Sequence, residues 1–263
     1  MEHALVKQVQ VNIPYRMFKE GYLEKFLEYG LNPEIGFDAN ALDSMVFSDA
    51  ESIAKQFHQA DRTITLHGPF MDLAPGSPDP DIQRISRNRF DQLSALVPVF
   101  KPKCVVCHAG YDRKRYWPMA ELWLEKSLEI WDPLAKSIKN EGALLMLENV
   151  YEKKPSEILP LIENLKAHDV GFCLDIGHQA VFGSGTLSQW VESMAPHLRQ
   201  LHLHDNDGKQ DDHCALGSGA IDIQGLLKQL HLLNIHPLAV TLEPHTEVDL
   251  EPSLTYLAPL WPW

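Results

Sequence analysis

Short apolar runs recur along the chain, each closed by a polar residue and turn formers: TITLHG, CVVCHAG, LLMLENV, GFCLDIGH, LRQLHLHD and LAVTLEPH. Runs of this kind read as buried strands. With QVQVNIPY and PEIGFD before them, they predict strands at 8–15, 33–38, 63–68, 104–110, 143–150, 170–177, 198–205 and 237–244. Between the strands, apolar residues at helical spacing predict helices at 16–29, 49–60, 81–97, 118–140, 155–167, 187–195, 222–234 and 252–260. Pro118, Pro155 and Pro252 suit first-turn positions, where a missing N–H goes unneeded.

Strand–helix alternation with continuous apolar strands implies a parallel sheet covered on its outside. The number of units and the length of 263 residues point to an α/β fold, a closed (β/α)8 TIM barrel. A doubly wound open sheet is the alternative. No linker, low-complexity tract or internal repeat interrupts the pattern, so residues 1–263 are expected to form a single barrel domain.

Strand phase adds a second constraint. Leu144, Met146 and Glu148 share one face of their strand, and Leu145 and Leu147 the other. Cys173 and Asp175 oppose Phe172, Leu174 and Ile176. Gln200, His202 and His204 oppose Leu201 and Leu203; Thr241 and Glu243 oppose Val240 and Leu242. In a barrel the aliphatic phase packs under the helices and the polar phase points inward. Polar residues at the strand ends then converge on the carboxyl-terminal mouth, where barrel enzymes keep their sites.

Composition narrows the class. The chain is 44% hydrophobic and 22% charged, with a net charge of −13. That acidity disfavours non-specific nucleic-acid binding. No apolar run approaches the length of a membrane span, and the start lacks the pattern of a secretory signal, so a cytoplasmic protein is expected. Cys104 and Cys107 form a C-x-x-C inside a strand, where residues three apart face opposite ways. They read as buried thiols in a reducing compartment, not as a chelating pair.

A carboxylate or imidazole ending an apolar strand is costly unless something pairs with it. His67, His108, Glu148, Asp175, His202 and Glu243 repeat that arrangement, and a divalent cation is the simplest shared partner. Glu148, Asp175, His202 and Glu243 form a donor set suited to Zn, Mn, Co or Mg and not to a soft thiolate site. His178, three residues beyond Asp175, joins Asp211 and His213 as candidates for a second or third ion; Asp212 is the alternative to Asp211. His67, His108 and His178 are also candidates to bind substrate.

Taken in order, TLHGPF, CHAG, LEN, LDIGH, HLHDND, the D-x-H before LGSG, and LEPH resemble the xylose-isomerase-like barrel superfamily over residues 63–245. That group includes sugar and sugar-phosphate isomerases and epimerases and endonuclease IV-like enzymes (AP endonuclease family 2). Resemblance to the epimerases implies one divalent ion on Glu148, Asp175, His202 and Glu243, with the two glutamates moving the proton beside a carbonyl. Resemblance to the endonucleases implies up to three zinc ions over all nine positions. His204 stands where the nuclease motif has asparagine, the loop from Lys209 to Asp211 looks shorter, and no basic-aromatic stripe for a duplex is evident.

The reading expected is therefore a metal-dependent isomerase or epimerase acting on a small sugar or sugar phosphate. A multi-zinc phosphoesterase that cuts abasic-site DNA is the alternative. Arg113, Lys114 and Arg115 follow the fourth strand, and Arg113 and Arg115 are candidates for a substrate phosphate or carboxylate. Gly217 and Gly219 precede a helix, a place that takes phosphate in barrels. Phe70 and Met71 are expected to wall the pocket or pack the loop. Tyr111, Tyr116 and Trp117 are candidates for the pocket or for a contact in a homo-oligomer.

Overall fold

The computed structural model describes residues 4–263 and closes them into a parallel barrel of eight strands. These are β1 (Gln10–Pro14), β2 (Asn32–Gly36), β3 (Thr65–His67), β4 (Cys104–His108), β5 (Leu144–Glu148), β6 (Gly171–Asp175), β7 (Leu198–Leu203) and β8 (Ala239–Leu242). Each pairs with the next, and β8 returns to β1. Every expected strand is present, so the (β/α)8 reading holds and the open sheet falls away. The seam is narrow: β1 meets β8 only through Gln10↔Thr241 and Val11↔Leu242.

The two strand phases separate as the alternation requires. Leu145, Leu147, Leu174, Leu201, Leu203 and Leu242 join the large apolar core beneath the helices. Cys104, Val106, Met146, Cys173 and Ala239 form a small second cluster inside the barrel. Cys104 and Cys107 fall into different clusters, which confirms that they do not chelate together. Trp131, Trp190, Phe57 and Phe100 are fully buried in the outer core. Burying a side chain of that size stabilises by roughly 1.5–3 kcal/mol.

The helices depart from expectation at particular residues. Gly21, at φ +93°, splits 16–29 into a 3-10 helix, Tyr15–Glu20, and an α-helix, Tyr22–Tyr29. The stretch 155–167 is three short pieces, Pro155–Glu157, Leu159–Asn164 and Lys166–His168. The helices Ala39–Asp43, Arg113–Tyr116 and Ile176–Phe182 had no sequence expectation. The last begins directly at the end of β6, where the run was expected to stay extended to Gly177. Asp175 caps it, its side chain accepting the His178 N–H at 2.6 Å. No helix among the described residues is long and apolar enough to cross a membrane.

Candidate metal centre

The structure brings His67, His108, Glu148, Asp175, His178, His202, Asp211, His213 and Glu243 together at the carboxyl-terminal mouth, with Glu148 in the middle. Glu148 Oε2 lies 3.3 Å from His67 Nε2 and 3.5 Å from His108 Nε2. Its Oε1 lies 3.3 Å from both His178 Nδ1 and His202 Nδ1. His202 Nδ1 is also 3.0 Å from Glu243 Oε1 and 3.9 Å from Asp175 Oδ2. On the far side, His178 Nε2 and His213 Nε2 stand 3.3 and 3.5 Å from Asp211 Oδ2.

Local structure aims each group. The Asn149 side chain ties β5 to β6, donating to the Asp175 carbonyl at 2.9 Å and accepting the Asp175 N–H at 3.0 Å. This fixes Glu148 and Asp175 relative to each other. His67 Nδ1 reaches the Gly68 carbonyl at 2.9 Å, His178 Nδ1 the Asn149 carbonyl at 3.0 Å, and His213 Nδ1 the Glu243 carbonyl at 3.1 Å. A carbonyl only accepts, so each Nδ1 carries the proton and each Nε2 is left to face the site. Phe70 stacks on His108 with ring centroids 4.5 Å apart, so it walls the site beside that imidazole. Met71 is exposed.

Charge is concentrated here. Burial alone raises the Glu148 carboxyl, but His202 foremost, with His178, holds it well below its ordinary value. Asp175 is likewise opposed by burial and brought down to about 2 by His178 and His204. Burial works against a charged His202, yet the surrounding acids raise it well above the ordinary imidazole value. His108 is pushed down to about 3 by burial and stays neutral, the form in which an imidazole ligates metal. Both Glu148 oxygens, His202 Nδ1 and Asp211 Oδ1 are buried with no hydrogen-bond partner among the described residues. Native proteins rarely leave such atoms unsatisfied unless a ligand takes them. The nitrogen and carboxylate donors suit a borderline divalent cation.

Sequence reasoning missed two contributors. His204 lies against Asp175 at 3.1 and 3.2 Å and stacks on His213, ring centroids 3.6 Å apart. The glycine of LDIGH makes room for it: a Cβ at Gly177 would come within 1.9 Å of the His204 ring. Strand phase put His204 on the site side, and only its departure from the nuclease motif marked it further. Glu34 sits beneath the site, its Oε1 3.0 Å from His202 Nε2. Its run, NPEIG, carries no local sign of that contact.

Other candidates lie outside this cluster. Arg113 is held by Glu157 at 2.8 Å and lies over the Trp117 ring, and Arg115 is exposed beside Asp112. Tyr111 and Tyr116 are buried against Trp123, while Trp117 is 64% exposed. The amides ahead of the helix Ile223–Leu232 already hold an anion, the protein's own Asp205. Its carboxylate accepts from Gly217 N and Gly219 N, both at 3.0 Å, and from Ile221 N at 3.2 Å. A phosphate expected at Gly217 and Gly219 would meet that carboxylate.

A family profile described as Xylose isomerase-like TIM barrel matches residues 33–259. The uncharacterized protein MJ1311 of Methanocaldococcus jannaschii is 24% identical over 181 residues, covering 64% of this chain and 59% of that protein. The chain thus matches less than two thirds of that relative's length. The solved TTHB071 protein from Thermus thermophilus, soaked with zinc chloride, superposes with a TM-score of 0.79 at 24% identity, covering 96% of this chain and 97% of that one. D-psicose 3-epimerase with D-tagatose from Clostridium cellulolyticum gives 0.73 at 17% identity, covering 90% and 84%.

Proposed function

Because the chain belongs to the xylose isomerase-like TIM barrel family, we propose that it is a divalent-metal-dependent isomerase or epimerase of a small sugar or sugar phosphate. The observation that carries this reading is the cage at the mouth, where His202 Nδ1 faces Glu148 and Glu243 at 3.3 and 3.0 Å with Asp175 beside them. Glu148, Asp175, His202 and Glu243 would hold the ion. When bound there, a divalent ion supplies the Lewis acidity that eases proton removal beside a carbonyl.

The chain's own groups do the rest. Glu148 is held charged by its imidazole neighbours, the form a base requires. One of Glu148 and Glu243 removes the proton and the other returns one. His67, His108 and His178 ring the space over Glu148 and orient substrate hydroxyls, and Phe70 shields His108. Asn149 keeps Glu148 and Asp175 in register while the proton moves. The similarity to an epimerase crystallised with D-tagatose supports a sugar as substrate. The free cysteines agree with a reducing, cytoplasmic setting.

A second reading, a multi-zinc phosphoesterase, is favoured by one observation. His67 and His108 converge on Glu148 Oε2, while His178, His204, Asp211 and His213 form a second cluster joined to the first through His178, so the donors suffice for more than one ion. Metal counting on the purified protein separates the two. One exchangeable ion, with turnover on ketoses, supports the isomerase. Three tightly held zinc ions, with cleavage of abasic-site DNA, replace it by the phosphoesterase. Glu148→Gln is expected to lower turnover by about 10²–10⁴-fold and to weaken metal binding; full activity in that variant rejects the assignment.

A further inference from the structure

His202 is oriented differently from its neighbours. His67, His178 and His213 hand their Nδ1–H to backbone carbonyls and keep Nε2 for the site. His202 lies inside β7, where backbone carbonyls are committed to the strand ladder. Its Nε2 points down the barrel and finds a carboxylate instead, Glu34 Oε1 at 3.0 Å. Its Nδ1 points up at Glu243 and Glu148.

Glu34 is completely buried, and its lone pairs are committed. Oε2 accepts from Gln200 Nε2 at 2.7 Å and from Thr65 Oγ1 and Thr241 Oγ1, both at 2.9 Å. Oε1 accepts from Asn12 Nδ2 at 3.4 Å besides facing His202. A carboxylate ringed by donors on β1, β3, β7 and β8 cannot rise to ligate an ion without abandoning them. Gln200 Nε2 also lies 3.1 Å from His202 Nε2, but its two hydrogens are taken by Glu34 Oε2 and Thr241 Oγ1, at 2.7 and 3.3 Å. The Glu34 carboxylate can only accept, so Nε2 carries the hydrogen that faces it, whereas Nδ1 makes no hydrogen bond to the acids around it among the described residues. Histidines that bind metal are commonly set by such a partner on the other ring nitrogen.

We propose that Glu34 is a positioning residue. By holding the proton on Nε2 it leaves Nδ1 of His202 as the nitrogen that faces the carboxylate cage. The inference rests on the metal-site reading for its consequence, but not for the placement of the proton.

Glu34→Gln tests it with little change of shape. The side with three donors, Gln200, Thr65 and Thr241, favours the amide oxygen of the new residue. Its NH2 then turns to His202 and donates to Nε2, which drives the ring proton onto Nδ1. Two readouts follow. By isothermal titration with zinc chloride, affinity falls by about 10- to 100-fold. By ¹⁵N-resolved imidazole NMR, His202 shows an Nε2–H in the wild type with and without zinc, and that resonance is lost in the variant. Thr241→Val removes one floor donor without touching His202 and keeps both affinity and Nε2–H, which a merely structural role of the network would not allow.

A Glu34→Gln protein that keeps the Nε2–H, or binds zinc like the wild type, overturns the proposal. If the wild type binds neither zinc nor manganese, the functional reading fails, and the Nε2–H alone then decides for or against the role of Glu34.

Discussion

Glu34 and Glu148 are both carboxylates sealed inside one barrel, 0% and 1% exposed, yet their oxygens meet different surroundings. At the floor, Glu34 is satisfied by Asn12, Thr65, Gln200, Thr241 and His202. At the mouth, neither oxygen of Glu148 has a hydrogen-bond partner among the described residues, although imidazoles crowd it. Charge at the floor is compensated by the fold itself. At the mouth, full compensation is left to something from outside. A third case, Glu152, lies under the loops after β4 and β5. It accepts the N–H groups of Val150 and Tyr111 at 2.7 and 3.2 Å, forms no ion pair among the described residues, and is pushed up to about 7 by burial.

The sharpest way to break the comparison is to delete the floor carboxylate. Glu34→Ala strands its donors and is expected to destabilise the protein by about 3–5 kcal/mol. Urea unfolding should show that loss without zinc and a further loss of about 1.4–2.8 kcal/mol in saturating zinc, because binding weakened about 10- to 100-fold stabilises less; a loss seen only with zinc would make the floor part of the ligand set. Next, zinc at a free concentration about 1,000 times Kd should stabilise the wild type by about 4 kcal/mol. Glu148→Ala should lose most of that gain. Thermal melts in zinc and in chelator check it, and a full zinc response in the variant would erase the difference between the two glutamates.

The third effect concerns Glu152 and has a definite sign. Its folded value, about 7, lies above the ordinary 4.5, so its favourable contribution is present below about pH 4.5 and is lost as pH rises through 7. At about 1.4 kcal/mol per unit, the loss is on the order of 3 kcal/mol. Unfolding free energies at pH 5.5 and 8, compared between the wild type and Glu152→Gln, isolate this part. An identical pH dependence in both proteins would show that Glu152 does not titrate in that window.

The contrast also marks what sequence could reveal. The barrel was legible because apolar runs such as LLML and VVC are long, local and regularly spaced. The cage was legible because Glu148, Asp175, His202 and Glu243 each end or follow such a run in matching phase. Glu34 was not, since its partners come from β1, β3, β7 and β8 and nothing within NPEIG requires them. The helix Ile176–Phe182 was hidden because IGHQAVF continues an apolar run, and only the Asp175 cap ends the strand. Asp205 was hidden for a related reason: a carboxylate that fills its own amide nest looks in sequence like one more acid in HLHDND.

The narrow joint between the first and last strands has a consequence for how the molecule is made. Only two residue pairs join β1 to β8, and Glu34 reaches across that joint from β2 to Thr241. A chain still missing its final strand therefore lacks Thr241 and Glu243 together, and with them both a tether for the buried acid below and a wall of the pocket above. Completion of the cylinder and completion of the four-residue cage proposed for the ion thus arrive in the same step.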